Sequence, residues 1–147
     1  ETENLQGDAA RVVMDRAEPF IREAAAGGDP FFAVIWFHTP HAPVVASEAH
    51  RALYAGLSEE EQHYFGCITA MDEQAGRLDA LLNELAIADD TILWFCSDNG
   101  PERRTMAGDS ARNRGETGGL RGRKRSLFDG GVVVPAFVRW PGLVEPG

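Results

Sequence analysis

The chain has 147 residues, 44% hydrophobic and 25% charged, which is an ordinary composition for one globular domain with a hydrophobic core. Its net charge of −9 argues against a nucleic-acid-binding protein. No apolar run reaches the roughly 18 residues that a membrane span requires, and the acidic, polar start ETENLQG shows no signal-peptide pattern.

The first predicted element is a helix over residues 8–26, with Asp8 as its N-cap. Pro19 should kink or restart this helix, and Gly27-Gly28 should end it. The apolar run FFAVIWF, residues 31–37, predicts a strand that is buried on both faces. It stops at HTPHAP, where two prolines exclude regular structure.

The clearest helix covers residues 58–87. Ser58 and Glu61 have the spacing of a capping box. One apolar stripe follows the helix at Tyr64, Ile68, Met71, Ala75, Leu78, Leu82 and Leu85. A coiled coil is the alternative explanation, but buried strands on either side favour a helix that covers a sheet.

Two further strands are predicted, TILWFC at 91–96 and VVVPAFV at 132–138. Pro135 places the last one at a sheet edge or breaks it there. Strand, helix and strand form a βαβ unit with parallel strands, so the fold class is α/β. Ligands of such sheets bind beyond the carboxyl ends of the strands, which predicts that HTPHAP and SDNG lie at one rim.

Basic residues gather late in the chain. Eight of the 14 lie within 103–125, where the only acidic residues are Asp109 and Glu116: Arg103, Arg104, Arg112, Arg114, Arg121, Arg123, Lys124 and Arg125. This segment is either a local anion-binding surface or a solvated, mobile basic loop, and charge alone favours neither. The two cysteines, Cys67 and Cys96, are too few for a disulfide framework and are expected to be buried thiols.

Three groups of residues have chemical potential, and each has a simpler explanation. His38 and His41 carry imidazoles that bind anions or metals or move protons, although a loop histidine often only contacts backbone. Asp98 and Asn99 offer two hard oxygen ligands, although Asp-Asn-Gly alone is better explained as a turn. Lys124 can meet an oxyanion, although it also fits a solvated basic stretch. Together they suit an anionic ester, with an imidazole that protonates the leaving oxygen.

The order of four segments makes the chain resemble the type I sulfatases of the alkaline-phosphatase superfamily: PFFAVIWFHTPHAP, YFGCITAMDEQAGRLDALLNEL, TILWFCSDNGPE and GLRGRKRSLFDGGVVVPAFVRWPG. This resemblance implies a mixed, mostly parallel sheet flanked by helices, and hydrolysis of a sulfated small molecule or glycan. It implies that Asp98 and Asn99 bind calcium and that Lys124 contacts the substrate sulfate and takes part in catalysis. His41 would bind the ester and assist the leaving group.

The chain also departs from the sulfatase pattern. It lacks the upstream aspartate pair that completes the calcium site, and it lacks the Cys/Ser-x-Pro-Ser-Arg motif whose first residue becomes formylglycine. Neither Cys67 nor Cys96 has that context. We therefore expect residues 1–147 to be a fragment of the large catalytic domain, without the N-terminal nucleophile region and the C-terminal part.

Such a fragment is expected to be inactive alone and to self-associate, because a sheet without its neighbouring strands exposes unpaired edges. Two alternatives remain for the function. One is hydrolysis of phosphate or phosphonate esters within the same superfamily, and the other is a non-catalytic anion-binding or structural module.

Overall fold

The structure is a computed structural model that describes residues 8–103, 111–145 and 147. Arg104 and Asp109 of the basic segment lie outside these ranges, as does the start of the chain. The elements are α1 (Ala9–Gly27), α2 (Glu48–Ala52), α3 (Glu59–Glu84), β1 (Leu93–Cys96), a 3-10 turn (Ala111–Asn113), α4 (Asp129–Val132) and β2 (Ala136–Arg139). None of the helices in the described ranges has the length and apolar character needed to cross a membrane.

Helix α1 begins and ends as the sequence predicts. The Asp8 carboxylate accepts a hydrogen bond from Arg11 N over 2.9 Å, and Gly28 closes the helix in the left-handed conformation at φ 73°. The expectation that Pro19 restarts the helix is wrong, because one helix runs through it. Met14 and Ile21, on either side of Pro19, are fully buried. Their packing holds the helix together despite the lost backbone hydrogen bond.

Helix α3 has the predicted capping box. Ser58 accepts from Glu61 N, and the Glu61 carboxylate accepts from Ser58 N over 3.1 Å. The hydrogen bonds from Ser58 hold the pKa of Glu61 below its ordinary value. These contacts confirm that the start of α3 is encoded locally.

The predicted apolar stripe of α3 is wrong in detail. Of its seven positions, all in the described ranges, only Leu82 is fully buried. The most buried side chains are instead Cys67, Ala70, Gln74, Leu81 and Leu82. The buried face is rotated because α3 packs on α1 and α2, while an ion pair between Asp79 and Arg139 at 2.7 Å joins it to β2.

Two clusters form the core around α3. The first joins Ile21 of α1 to Leu81, Leu82 and Ala88, with Phe31 packed against it. The second joins Val44 and Ala46 to Cys67 and Ala111, with Tyr64 beside them, and burial raises the pKa of Tyr64. Cys67 is therefore buried as predicted, but Cys96 is exposed at the end of β1, which corrects that expectation.

The sheet differs from the prediction. Strands β1 and β2 pair antiparallel, with Leu93 opposite Arg139 and Cys96 opposite Ala136. They form the one sheet within residues 8–103, 111–145 and 147, so a mostly parallel sheet is not seen there. Val132 ends α4, residues 133–135 have no regular structure, and the strand begins at Ala136, which agrees with a break at Pro135.

The predicted strand over residues 31–37 is not formed. It has no ladder partner among the described residues, and Phe32 and Trp36 are 87% and 84% exposed instead of buried. A strand requires hydrogen bonds from a neighbouring strand, and an apolar sequence does not supply that neighbour.

Candidate functional site

Two segments lie against each other beside the short sheet. We call residues 97–102, after β1, the Asp98 turn, and residues 119–131 the Lys124 loop. Gly100 N donates to Gly131 O over 2.9 Å, and Lys124 N donates to Pro101 O over 2.9 Å. These two hydrogen bonds bring the predicted metal-binding pair and the predicted lysine into neighbouring positions.

Glycine is required where the two segments meet. Gly100 is buried, and a Cβ atom on it would overlap the carbonyl oxygen of Gly130. Gly130 N donates to Arg121 O over 2.8 Å, which folds the Lys124 loop onto itself. The close approach of Gly100 to Gly130 therefore depends on the absence of side chains.

Asp98 and Asn99 present oxygen atoms at the Asp98 turn. The Asn99 Nδ2 group donates to Gly100 O over 2.8 Å, which orients the amide, and Ser97 Oγ donates to Asn99 O over 3.0 Å. Asp98 is exposed, and its carboxylate makes no hydrogen bond or ion pair with the described residues. The turn is thus stabilised by its own backbone and by Asn99, while the Asp98 carboxylate stays available to a ligand.

The donor set of this pair fits part of a hard cation site. A carboxylate and an amide oxygen are ligands that calcium prefers, but calcium takes six to eight oxygens. Across the described ranges, no three His, Cys, Asp or Glu side chains are arranged to hold a metal ion. Asp98 and Asn99 are therefore sufficient for a part of such a site and insufficient for a whole one.

Lys124 is distinguished by its chemistry and its contacts. It is the only lysine of the chain, and every other basic residue is an arginine. The side chain is half-buried and makes no hydrogen bond or ion pair with the described residues, whereas its backbone N–H is held by Pro101. A fixed backbone with an uncommitted ammonium group is suitable for binding an anion.

The arginines around Lys124 are engaged by the protein itself. Arg123 Nε donates to Glu102 O over 2.8 Å, and its Nη2 donates to Gly115 O. The Arg121 guanidinium stacks on the Phe128 ring at 3.6 Å, and Arg114 pairs with Glu60 at 3.5 Å. These three arginine side chains therefore contact other parts of the protein, unlike the side chains of a solvated, mobile basic loop.

His38 and His41 share one backbone acceptor. His38 Nε2 lies 3.1 Å from Ala42 O, and His41 Nδ1 lies 3.0 Å from the same oxygen. Because a carbonyl oxygen only accepts, each of these ring nitrogens carries the hydrogen. The contact leaves His41 Nε2 as the ring nitrogen that can act on a ligand, and both rings are exposed with centroids 4.9 Å apart.

The structure brings some of the predicted site residues together and not others. Asp98, Asn99 and Lys124 lie on contacting segments. No hydrogen bond, ion pair or ring contact in the described ranges joins His38 or His41 to them. The common rim of HTPHAP and SDNG stays a prediction, since it was based on a parallel strand pair that is not formed here.

Two groups of polar residues were not predicted from the sequence. The first is Glu102. In the sequence it could have been noticed only as a single acid at the end of the Asp98 turn, directly before a basic run. The other is a row in which Ser47 Oγ lies 2.8 Å from His50 Nδ1 and His50 Nε2 lies 3.1 Å from Glu73. Ser47 also caps α2 by accepting from His50 N over 3.2 Å, so this row stabilises a helix start.

Comparisons with known proteins give a consistent result. A family model described as Sulfatase matches residues 2–146. The chain is 30% identical over 142 residues to N-acetylgalactosamine-6-sulfatase of Sus scrofa, covering 97% of this chain and 26% of that protein. It is 34% identical over 146 residues to steryl-sulfatase of Mus musculus, covering 96% and 22%. The chain thus spans about a quarter of the length of the curated relatives it matches.

The solved structures agree with this similarity. The crystal structure of the PsFucS1 sulfatase from Pseudoalteromonas sp. superposes with a TM-score of 0.79 at 27% identity, covering 94% of this chain and 26% of that one. Its likeness, and that of other sulfatases of the alkaline-phosphatase-like α/β fold, places the chain in the α/β class.

Proposed function

Because the chain belongs to the sulfatase family, we propose that it carries part of the calcium and sulfate-binding site of an enzyme that hydrolyses sulfate esters. Its relatives are named for activity on N-acetylgalactosamine 6-sulfate groups and on steryl sulfates. The chemistry these names have in common is hydrolysis of a sulfate ester, and the proposed substrates are sulfated small molecules or glycans.

The observation that carries this proposal is the contact between the Asp98 turn and the Lys124 loop. Lys124 N donates to Pro101 O, and Gly100 N donates to Gly131 O. A pair of hard oxygen ligands and an uncommitted ammonium group are therefore neighbours. A sulfate ester has negatively charged oxygens, which would be bound by the ammonium group and by a cation held on the oxygen ligands.

The residues of this chain have separate roles in the proposed reaction. Lys124 binds a sulfate oxygen and balances its charge. His41 is the proposed proton donor: with Nδ1–H held by Ala42 O, the doubly protonated ring would give its Nε2 proton to the leaving oxygen and return to the neutral form. His38 has no catalytic role.

Calcium is the proposed metal, with Asp98 and Asn99 as two of its ligands. When bound, it neutralises the negative charge of the ester group. The other ligands come from residues outside the described ranges or outside this chain. Asp98 and Asn99 hold their oxygens at the end of β1, next to the loop that carries the lysine.

Formylglycine does not fit either cysteine of the chain. Cys67 is packed between Val44 and Ala46 in the core, where a nucleophile could not reach a substrate. Cys96 is the last residue of β1 and has the sequence Ser-Asp-Asn after it. We therefore place the nucleophile in another part of the parent enzyme, and residues 1–147 are inactive alone.

The same proposal explains the exposed apolar segment at residues 31–37. Phe32, Val34 and Trp36 alternate on its exposed side. In the parent enzyme this segment pairs with strands from outside the chain and completes the mostly parallel sheet of the catalytic domain.

The experiment that tests this function measures sulfate binding on the single lysine. A chain labelled with [15N]lysine gives one backbone amide signal, and inorganic sulfate is titrated against it in the presence of calcium. Binding is compared by calorimetry with that of Lys124→Met and of the matched control Arg103→Met. We expect Lys124→Met to lose sulfate binding and Arg103→Met to retain it.

The reverse result would contradict the proposal. Sulfate binding that survives Lys124→Met and disappears with Arg103→Met would indicate a non-catalytic anion-binding surface. Turnover of an aryl sulfate by the 147-residue chain, abolished by Lys124→Ala, would contradict its inactivity alone. Preference for an inorganic phosphate or phosphonate probe over sulfate would favour the other hydrolase of the superfamily.

A further inference from the structure

Lys124 lies between two arginines that contact the same residue. Arg123 Nε donates to the backbone oxygen of Glu102 over 2.8 Å. Arg125 Nη1 donates to the carboxylate of Glu102, which also accepts from Arg103 N over 2.9 Å. Glu102 therefore holds both residues that flank the lysine.

The Glu102 carboxylate is well placed to be such an anchor. Its side chain is 10% exposed, so it is largely removed from water. A carboxylate in that environment requires hydrogen bonds and a positive partner, and loss of the partner leaves an uncompensated charge. The contact therefore joins a carboxylate that is shielded from water to a guanidinium that is 51% exposed.

The backbone of Arg125 shows that the loop is held in an unfavourable conformation. Its φ angle is 69°, in the left-handed region that is unfavourable for a residue with a side chain. Such a conformation persists where surrounding contacts determine it. The contact of Arg125 with Glu102 is one of these contacts, and the hydrogen bond from Lys124 N to Pro101 O is another.

From these contacts we infer that Glu102 is a positioning residue for Lys124. Its carboxylate fixes Arg125 and its backbone oxygen fixes Arg123, so that only the Lys124 ammonium of the three is left for an anion. Glu102 is the last residue of the Asp98 turn, so the same anchor also fixes the position of the lysine relative to Asp98 and Asn99. The inference rests on the proposed function only for the claim that Lys124 binds an anion. The contacts that hold Lys124 in place do not depend on that function.

The test uses the backbone amide of Lys124, which is unique in a [15N]lysine-labelled chain. Its exchange with deuterium is compared in the wild type, in Glu102→Gln and in the matched control Glu116→Gln. Glu116 lies 3.9 Å from Arg123 Nη1 and is more exposed, so its change removes one charge from the same region. We expect exchange about tenfold faster in Glu102→Gln, as for loss of a charge-assisted hydrogen bond, and no change in Glu116→Gln.

A second readout separates positioning from general destabilisation. Glu102→Gln should weaken inorganic sulfate binding by about tenfold, while the calcium-induced shift of the Asn99 side-chain amide stays as in the wild type. Equal Lys124 exchange in wild type and Glu102→Gln, or an equal loss of the sulfate and calcium responses, would overturn the inference.

A further variant keeps the test decisive if Glu102→Gln does not fold. Arg125→Gly removes the same contact and relieves the positive φ, and it should also accelerate exchange at Lys124. Unchanged exchange in Arg125→Gly would overturn the inference. If the wild type shows no sulfate response, the proposed function fails, and the exchange comparison still decides the role of Glu102.

Discussion

Gly100 sets the distance between the Asp98 turn and the Lys124 loop. Its N–H is held by Gly131 O, and the space where its side chain would lie is occupied by the Gly130 carbonyl. The site residues on both segments thus depend on a residue that has no functional group of its own.

Replacement of Gly100 by alanine should therefore destabilise the protein. The new methyl group overlaps backbone atoms that cannot rotate away, and such overpacking costs about 1–3 kcal/mol. Urea denaturation would measure the change in the free energy of unfolding. The matched control is Gly76→Ala in α3, where a Cβ meets nothing within 4 Å and alanine should stabilise the helix by about 0.5–1 kcal/mol. If Gly100→Ala does not lower the free energy of unfolding relative to the wild type, the close contact between Gly100 and Gly130 is refuted.

Asp98, Asn99 and Lys124 were singled out by the order of four segments that resemble sulfatases, since each local pattern alone has a simpler explanation, and their roles stay predictions. Glu102 could not be predicted in the same way. Its role depends on Arg123 and Arg125, which are 21 and 23 residues away in the chain. A single acid beside a basic run does not reveal which cations fold back onto it.

At the scale of elements, α1 and α3 are joined by two arginines with several carboxylate partners. Arg22 Nη1 donates to Glu84 over 2.8 Å and Arg22 Nε donates to Glu18 over 2.9 Å, while Arg77 donates to Asp15 and Glu18. The hydrogen bond from Arg22, and to a smaller extent the one from Arg77, holds the pKa of Glu18 below its ordinary value. Arg77 lowers the pKa of Asp15, and Arg22 lowers that of Glu84.

These shifts predict a loss of stability in acid. A carboxylate with a lowered folded-state pKa contributes stability that is fully present above its unfolded pKa, roughly 4, and is lost as the pH falls through the folded value. The urea midpoint should therefore decrease between about pH 5 and pH 2. Arg22→Gln with Arg77→Gln should flatten this dependence, and equal pH slopes in the two proteins would rule out the contribution of these pairs.

Helices could be predicted from the sequence more reliably than strands. The caps at Asp8 and Ser58 act within four residues, so α1 and α3 begin where their sequences indicate. The buried face of α3 depended on the elements packed against it, and these are mainly α1 and α2. Residues 31–37 have the sequence of a buried strand, but a strand forms only when a distant segment pairs with it.

At the scale of the molecule, large apolar side chains are exposed on several segments. Phe32, Trp36 and Trp94 are each at least 65% exposed, and Leu127 is 96% exposed. Residues 31–37 combine Phe32 and Trp36 with backbone groups that have no ladder partner among the described residues, which is the usual route to strand addition between chains.

The isolated 147-residue chain should consequently self-associate through residues 31–37. Light scattering after size-exclusion chromatography should give a mass that rises with protein concentration. Phe32→Glu with Trp36→Glu should shift the protein towards monomer, because both side chains are exposed and their replacement leaves the core intact. Leu127→Glu is the control and should still associate. A monodisperse wild-type monomer would contradict the prediction.

The central claim is that Asp98, Asn99 and Lys124 are parts of one calcium and sulfate site. The sulfate titration on the single lysine tests it most directly when it is repeated with and without calcium, in the wild type and in Asp98→Ala. With calcium in large excess, so that water completes the coordination that Asp98 and Asn99 begin, we expect calcium to increase the sulfate affinity at Lys124 in the wild type and to have no effect in Asp98→Ala, since neighbouring opposite charges couple. Sulfate binding that is independent of calcium, or a calcium effect that persists in Asp98→Ala, would contradict the claim.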